Sequence, residues 1–380
     1  MKDGWEYKKL IDVCDFQGGS QPPKSEWINH DSPGYIRMLQ IRDFTQSRKV
    51  SPEYVKITNR TKCCFSDDIL IGRYGASLGK ILTGIAGAYN VAIMRTIPNE
   101  TLLSKCYLKY YLMSSIFQSF LLNIGGRAAQ AGFNKEDLKC LNIPIPSIDE
   151  QRRIVSYLDS SFKLIDEIKN QALKSLTEAK ALFQSALAEA MEPKEGWEEK
   201  TLQDVAVFRN GIAHEKSIDN EKGRFIVVNS KFVSSEGKIM KYCNSQLSPL
   251  YEGDIVMVMS DVPNGKALAK CFIIDNNKKY TLNQRICAFS NHKIDTKYLY
   301  FHINRNKYFL EFDNGENQTN LRKNDILKCP VYFPSIDTQK LIVTHLDKLS
   351  SKVRAIEEKY QKMVEECDAL KQAMLRDVFE

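Results

Sequence analysis

The chain repeats itself. Gly4-Trp5-Glu6 returns as Gly196-Trp197-Glu198, and Pro146-Ser147-Ile148-Asp149 returns as Pro334-Ser335-Ile336-Asp337. Between these markers, Asp68-Ile69-Leu70-Ile71 matches Asp254-Ile255-Val256-Met257, and Gly79-Lys80 matches Gly265-Lys266. Gln151, Ile154, Val155, Leu158 and Asp159 then match Gln339, Ile342, Val343, Leu346 and Asp347. The offset between copies drifts early in each copy and then holds steady. Insertions therefore fall in the first part, as in a globular domain with tolerant loops, and the last part keeps register, as a packed helix seam must. Two copies are too few for a solenoid. Each copy is expected to hold its own core, and the molecule to present two similar sites.

The last part of each copy reads as a long helix. Ile342, Leu346, Leu349, Val353, Ile356, Tyr360, Met363, Cys367, Leu370 and Met374 alternate at spacings of four and three, with no Pro or Gly between them. The matching seam of copy one, Ile154, Leu158, Ser161, Ile165, Ile168, Ala172, Ser175, Ala179, Leu182 and Ala186, is smaller. A large seam facing a small one suits one helix packed on the other, and Pro193 and Gly196 stop the first. Some 40 residues make a rod of roughly 60 Å. If a twofold axis relates the copies, the helices run antiparallel and Glu380 ends near Met1.

The expected organisation is a globular domain at 1–148, a spacer helix at 149–192, a second globular domain at 193–335 and a second spacer helix at 336–380. The globular parts mix strand-like runs (Ile69–Gly72, Val91–Ile97, Ile255–Met259, Arg285–Phe289) with helix-like ones (Tyr107–Leu122, Tyr298–Leu310) without βαβ regularity. That pattern predicts an α+β fold.

Charge separates along the same boundaries. The net charge is +7; residues 149–192 carry −2 and 337–380 carry −1, which leaves +10 on the remainder. Positive charge concentrated in the globular parts is what a phosphate-binding surface needs. Three loops recur at like places: 17–27 with 209–217, 73–80 with 259–266, and 125–135 with 314–323. They supply the candidate contacts with a duplex: Lys24, Arg73, Tyr74, Lys80, Arg127, Gln130, Asn134 and Lys135 in copy one, and Lys216, Ser260, Asn264, Lys266, Asn317, Gln318, Asn320, Arg322 and Lys323 in copy two. Arginine reads guanine, and asparagine or glutamine reads adenine, through paired hydrogen bonds, whereas lysine suits phosphate. Arg127 aligns with Gly315 and Asn134 with Arg322. Matched scaffolds with different reading residues suit two different half-sequences.

Motifs for chemistry are missing. Gly75–Lys80 is one residue short of a phosphate loop and has Ile81 where Ser or Thr should bind Mg²⁺. No G-x-G-x-x-G or H-E-x-x-H occurs, and Asn142-Ile143-Pro144 lacks the paired prolines and aromatic of amino-methylating enzymes. The five histidines share no repeat position. Of Asp67 and Asp68 only the second has a counterpart, Asp254, which suits a turn that opens a strand better than a metal pair. The ten cysteines show no C-x-x-C, so reduced and mostly buried thiols are expected, and no metal. With no run of ~18 apolar residues and no signal-peptide pattern, a soluble cytoplasmic protein is expected.

Two long helices alternating with two target-reading domains resemble the specificity subunit of type I restriction-modification systems. The likeness is carried by Pro146–Val155 (PSIDEQRRIV) and Pro334–Val343 (PSIDTQKLIV), the Gly-Trp-Glu openings, Gly253-Asp254-Ile255-Val256 and the Gly18-Gly19-Ser20 turn. It implies two target recognition domains on double-stranded DNA, and spacer helices that dock two methyltransferase subunits. It further implies two restriction subunits, with S-adenosylmethionine, ATP and Mg²⁺ used by those partners and no catalysis or cofactor on this chain. Asp67 stands where copy two has Gly253, and Ser161 and Ser175 soften the first seam. The competing expectations are a coiled-coil scaffold that binds only proteins, and an unaided DNA-modifying or DNA-cleaving enzyme.

Overall fold

The computed structural model describes residues 4–46, 50–125, 132–276 and 279–380. It divides into two compact units, Met1–Leu173 with Lys359–Glu380, and Lys174–Glu358. Each contains one globular domain and parts of both long helices.

The two domains share one topology. In the first unit Glu6–Lys9 pairs antiparallel with Asn142–Ile145, and the one-turn helix Leu10–Val13 leads into strand Cys14–Gly18. In the second, Glu198–Thr201 pairs with Pro330–Phe333, followed by Leu202–Val205 and Val207–Asn210. A four-stranded antiparallel sheet follows in each. Its order is Cys14–Gly18, Ile93–Pro98, Leu70–Gly72, Ile81–Leu82 in one unit and Val207–Asn210, Ile286–Ser290, Ile255–Val258, Cys271–Ile273 in the other. A second sheet has one parallel pair, Tyr35–Leu39 beside Gly87–Tyr89 and Phe225–Val228 beside Tyr280–Leu282.

The strand Ile255–Val258 shows why the apolar run is unbroken. Successive side chains point to opposite faces. Ile255 and Met257 enter one core with Phe289, Tyr298 and Leu346, and Val256 and Val258 enter another with Ile226, Phe232 and Leu282. A strand buried on both faces has no polar side to display.

The long helices span Ile148–Met191 and Ile336–Phe379. Within the first unit they run antiparallel: Asp166 meets Lys371 at 2.6 Å and Lys169 meets Asp368 at 2.8 Å, so one index rises by three as the other falls by three. Within the second unit Lys180 pairs with Glu357. The chain's last residues return to the first domain, where Phe379 packs against Tyr107 and Tyr111 and the Glu380 carboxylate accepts the Ser115 hydroxyl. Met1 lies outside the described residues.

Three expectations are corrected. The seam of the first helix is buried at Ile154, Leu158 and Ile165, but Ile168 and Leu182 are 45% and 65% exposed. The buried stripe runs instead through Phe162 and Leu176, with Phe183 also turned inward. A helix of 3.6 residues per turn drifts against a strict 3.5 repeat, and here Phe162 and Phe183 pack on domain aromatics, Tyr110 and Phe301. On the second helix Leu370 is likewise half exposed, while Leu375 is buried. Finally, the helix-like stretches are each two helices, Lys105–Met113 with Ser115–Gly125 and Thr296–Ile303 with Lys307–Leu310. Ser114 is extended and its hydroxyl caps the Tyr111 carbonyl at 2.7 Å; Arg305 takes φ +57. Apolar periodicity runs through such a break because both pieces face one core.

All ten thiols are free, seven of them buried, and only Cys106 and Cys140 are exposed. Burial pushes Cys14 and Cys329 up to about 12 and Cys64 to about 11.

Candidate nucleic-acid interface

Four loops converge at one place in each unit. In the first, Gly19 lies against the Asn90 carbonyl, where an added Cβ would stand 2.1 Å away, so only glycine fits. The Arg73 amide donates to the Ala92 carbonyl at 2.9 Å, and Tyr74 bridges to Gly132. In the second unit a Cβ added at Gly211 would stand 2.0 Å from the Asn283 carbonyl. The Met259 amide donates to the Arg285 carbonyl at 3.1 Å, and Ser260–Asp261 pairs with Thr319–Asn320. The three loops singled out from the repeat therefore adjoin. A fourth, 90–92 and 283–285, was missed; its signal is an Asn-x-x-Ile in each copy.

Several candidates prove to be committed inside their own unit. Arg73 donates from Nε to the Phe133 carbonyl (3.3 Å) and from Nη1 to the Val91 carbonyl (3.2 Å), bracing two loops. Tyr74, 42% exposed, lies under the Arg73 guanidinium and fills the space beside Gly132. The Asn134 carboxamide oxygen accepts the Glu136 and Asp137 amides, and the Asp137 carboxylate accepts the Asn134 amide, so the pair caps the turn Glu136–Cys140. Ser260 is buried and accepts the Gln318 amide at 2.7 Å. Asn264, in a left-handed conformation, donates its backbone amide to Asp313 at 3.1 Å. Arg127 and Gln130 lie outside the described residues.

The carboxylates of the second cluster face inward. Asp261 accepts the Val262, Ala267 and Leu268 amides, and Asp313 accepts the Gly315 and Asn264 amides and the Thr319 hydroxyl. The Gly315 amide holds Asp313 below the usual carboxylate range, with the other two donors helping against partial desolvation. Asn317, Asn320, Arg322, Lys266 and Lys323 are exposed around them.

Three lysines recur at matched positions: Lys24 and Lys216, Lys80 and Lys266, Lys135 and Lys323. Lys80, Lys216 and Lys266 are exposed. Lys24 reaches Glu53 and stacks over Trp27. Lys135 pairs with Asp15, which it holds below the usual carboxylate range; Lys323, where copy two has Val207 in place of Asp15, lies 5.5 Å over the Phe208 ring.

The acidic pair by the central strand is structural. Asp68 accepts the Phe65 amide and meets Arg95 and Lys105 at 2.8 and 3.0 Å; Asp254 accepts the Tyr251 amide and meets Arg209 at 2.5 Å. Burial acts to raise Asp68, but its amide and cationic partners hold it low. Among the described residues no three His, Cys, Asp or Glu side chains are grouped to hold a metal ion, and no helix is long and apolar enough to cross a membrane.

The family model for the type I restriction modification DNA specificity domain matches residues 2–178 and again 194–366. The chain is 22% identical over 393 residues to the type I restriction enzyme MjaVIII specificity subunit of Methanocaldococcus jannaschii, covering 96% of this chain and 90% of that one. In fold it is similar to a chain from a structure on complex assembly and conformational transition of the type I R-M system, with TM-score 0.76, 18% identity and coverage of 99% and 97%. The HsdS subunit from Thermoanaerobacter tengcongensis gives a TM-score of 0.51 at 18% identity, covering 100% of this chain and 97% of that one. With two matched domains, two long helices and one loop cluster per unit, this chain belongs to the type I restriction modification DNA specificity family and carries the family's domain twice.

Proposed function

We propose that each unit reads one half of a bipartite duplex target, with unread base pairs between the halves. The observation that supports this reading is the pair of loop clusters: one backbone arrangement, with the same lysines and different neighbours. Arg73-Tyr74 faces Gly132-Phe133-Asn134 in one, and Met259-Ser260 faces Asn320-Leu321-Arg322 in the other. Lysines kept in both copies suit phosphate, which is the same at every step; residues that differ suit bases, which are not. The half-sites would lie on one face of the duplex, near one helical turn apart (~34–36 Å).

In this reading the long helices space the two domains and dock two methyltransferase subunits, and two restriction subunits complete the assembly. S-adenosylmethionine, ATP and Mg²⁺ serve those partners; this chain binds none of them, performs no catalysis and works in the cytoplasm. The test is a methylation profile of DNA treated with the complex of this chain and its methyltransferase partner. Replacing Asn317, Asn320 and Arg322 by alanine is expected to relax one half of the methylated motif and leave the other unchanged. Equal loss at both halves, or no motif with the unaltered chain, rejects the proposal.

A further inference from the structure

The two units place an arginine at the same cross-strand position, but from opposite strands. The Arg73 amide bonds the Ala92 carbonyl, and the Met259 amide bonds the Arg285 carbonyl. These are equivalent ladder steps, one beyond the pairs Gly72–Ile93 and Val258–Ile286. In the first unit the arginine stands on the central strand and its guanidinium is tied to two carbonyls. In the second, Met259 packs against the core and Arg285, on the facing turn, is exposed.

The turn that carries Arg285 is stiff. The Arg285 amide donates to the Asn283 side chain (3.3 Å), the Ile286 amide to the Asn283 carbonyl (3.0 Å) and the Asn283 amide to the Val228 carbonyl (3.2 Å). Gly211 closes on the same Asn283 carbonyl. A long cation on a fixed backbone, inside the loop cluster, has less freedom to lose on binding.

We infer that Arg285 is the guanine-reading residue of the second unit, donating two hydrogen bonds to O6 and N7 in the major groove. Phosphate is the other acceptor an exposed arginine takes. The internal repeat argues against it: the lysine pair left exposed in both copies, Lys80 and Lys266, suits phosphate, whereas the residue matched to Arg285 is Ala92. A contact present in one copy alone fits a base that differs between the halves. The inference rests on the half-site reading proposed above.

The test uses the complex of the full chain with its methyltransferase partner and duplexes carrying the methylated motif. The half read by the second unit is the one relaxed by the Asn320 and Arg322 substitutions. Each guanine in it is replaced in turn by 7-deazaguanine, which lacks the N7 acceptor. The unaltered complex is expected to lose about 10- to 100-fold in affinity at one guanine. Arg285→Ala is expected to bind weakly everywhere in that half and to be indifferent to the change at that guanine. Arg285→Lys should keep the charge without recovering discrimination. A uniform loss across sequences with a shallower salt dependence identifies a phosphate contact and overturns the inference, as does a half-site without guanine or one whose 7-deaza response Arg285→Ala leaves intact. Absence of any motif preference in the unaltered complex would instead remove the underlying half-site reading.

Discussion

Lys371 on the second long helix meets Asp166 on the first at 2.6 Å, and one turn away Lys169 returns the contact to Asp368 at 2.8 Å. The two pairs mirror each other across the helix seam of the first unit. Both carboxylates are more than half exposed, at 56% and 61%, so each pair contributes under about 1 kcal/mol. What holds the helix end in place is apolar: Leu375, Val378 and Phe379 are buried among Tyr107, Tyr111 and Leu158.

The contrast is measurable. Lys371→Ala is expected to destabilise by less than about 1 kcal/mol, which includes its position over the Phe162 ring. Phe379→Ala is expected to cost about 3–5 kcal/mol in urea unfolding. Hydrogen exchange should then rise around Tyr107–Tyr111 and stay unchanged around Tyr298. Equal effects of the two substitutions would show that the seam is held by charge.

Gln151 and Gln339 share two contacts in the two units, and the Gln151 amide donates in addition to the Leu102 carbonyl at 2.7 Å. Each side-chain oxygen accepts a helix-opening amide, Ser104 or Asp295, at 2.9 Å, and each amide donates to Pro146 or Pro334, at 3.0 and 2.8 Å. Both are buried, so alanine at either leaves unpaired polar groups at a cost of about 1–3 kcal/mol. Similar losses at the two sites, read by thermal unfolding, are expected; a loss at only one would break the structural equivalence.

The repeat made these glutamines legible, because PSIDxQ recurs at a fixed offset in the part of each copy that keeps register. It also revealed three of the four converging loops, while the apolar spacings carried the two helices and the mingled strand-like and helix-like runs carried the α+β class. Side-chain roles were less legible. Arg73, Asn134 and Ser260 look like readers because they are polar and lie in loops, yet their partners are carbonyls, amides and Gln318. Gln318 lies 58 residues from Ser260 and the other partners are backbone groups, so periodicity carries no trace of them. The missed loop at Asn283 differs from its counterpart at both middle positions, Gln284-Arg285 against Val91-Ala92. A search for sameness passes over a segment whose importance lies in its difference.

Arg73 and Lys80 should therefore behave differently. If the first unit reads a half-site as proposed, Arg73→Ala, which removes the brace between two loops, is expected to broaden or abolish that reading, with increased protease sensitivity near Phe133. Lys80→Ala, at an exposed position, should weaken binding evenly across sequences and reduce the slope of log K against log salt by about 1. An Arg73→Ala complex that loses one base preference and keeps its protease resistance would make Arg73 a reader after all.

Acid should weaken the second unit before the carboxylates titrate. His302 is buried, its Nε2–H donates to the Pro330 carbonyl at 3.0 Å, and Nδ1 has no partner among the described residues. Burial lowers its pKa, and that of His292, below the ordinary histidine value. The unfolded chain then binds more protons, so this stability is complete above about pH 6.5 and falls as pH drops toward the folded values. Asp204 and Asp313, held below the usual carboxylate range, lose their share only at lower pH, beneath about 4. Urea unfolding between pH 7 and 5 should show a fall in stability that is smaller in His302→Gln; an identical fall would assign it elsewhere.

Under the proposed half-site reading, the helices would also set the spacing between the halves. Inserting about seven residues at matched points of both helices preserves the heptad and adds about 10 Å of rise. If the helices act as a ruler, the unread gap in the methylated motif grows by up to about three base pairs at 3.4 Å each, while the bases read in each half stay the same. Insertion into one helix alone shifts its seam against an unchanged partner and should cost stability without defining a new gap. An unchanged gap in the doubly lengthened chain, with methylation retained, would mean that the DNA or the methyltransferase subunits fix the distance.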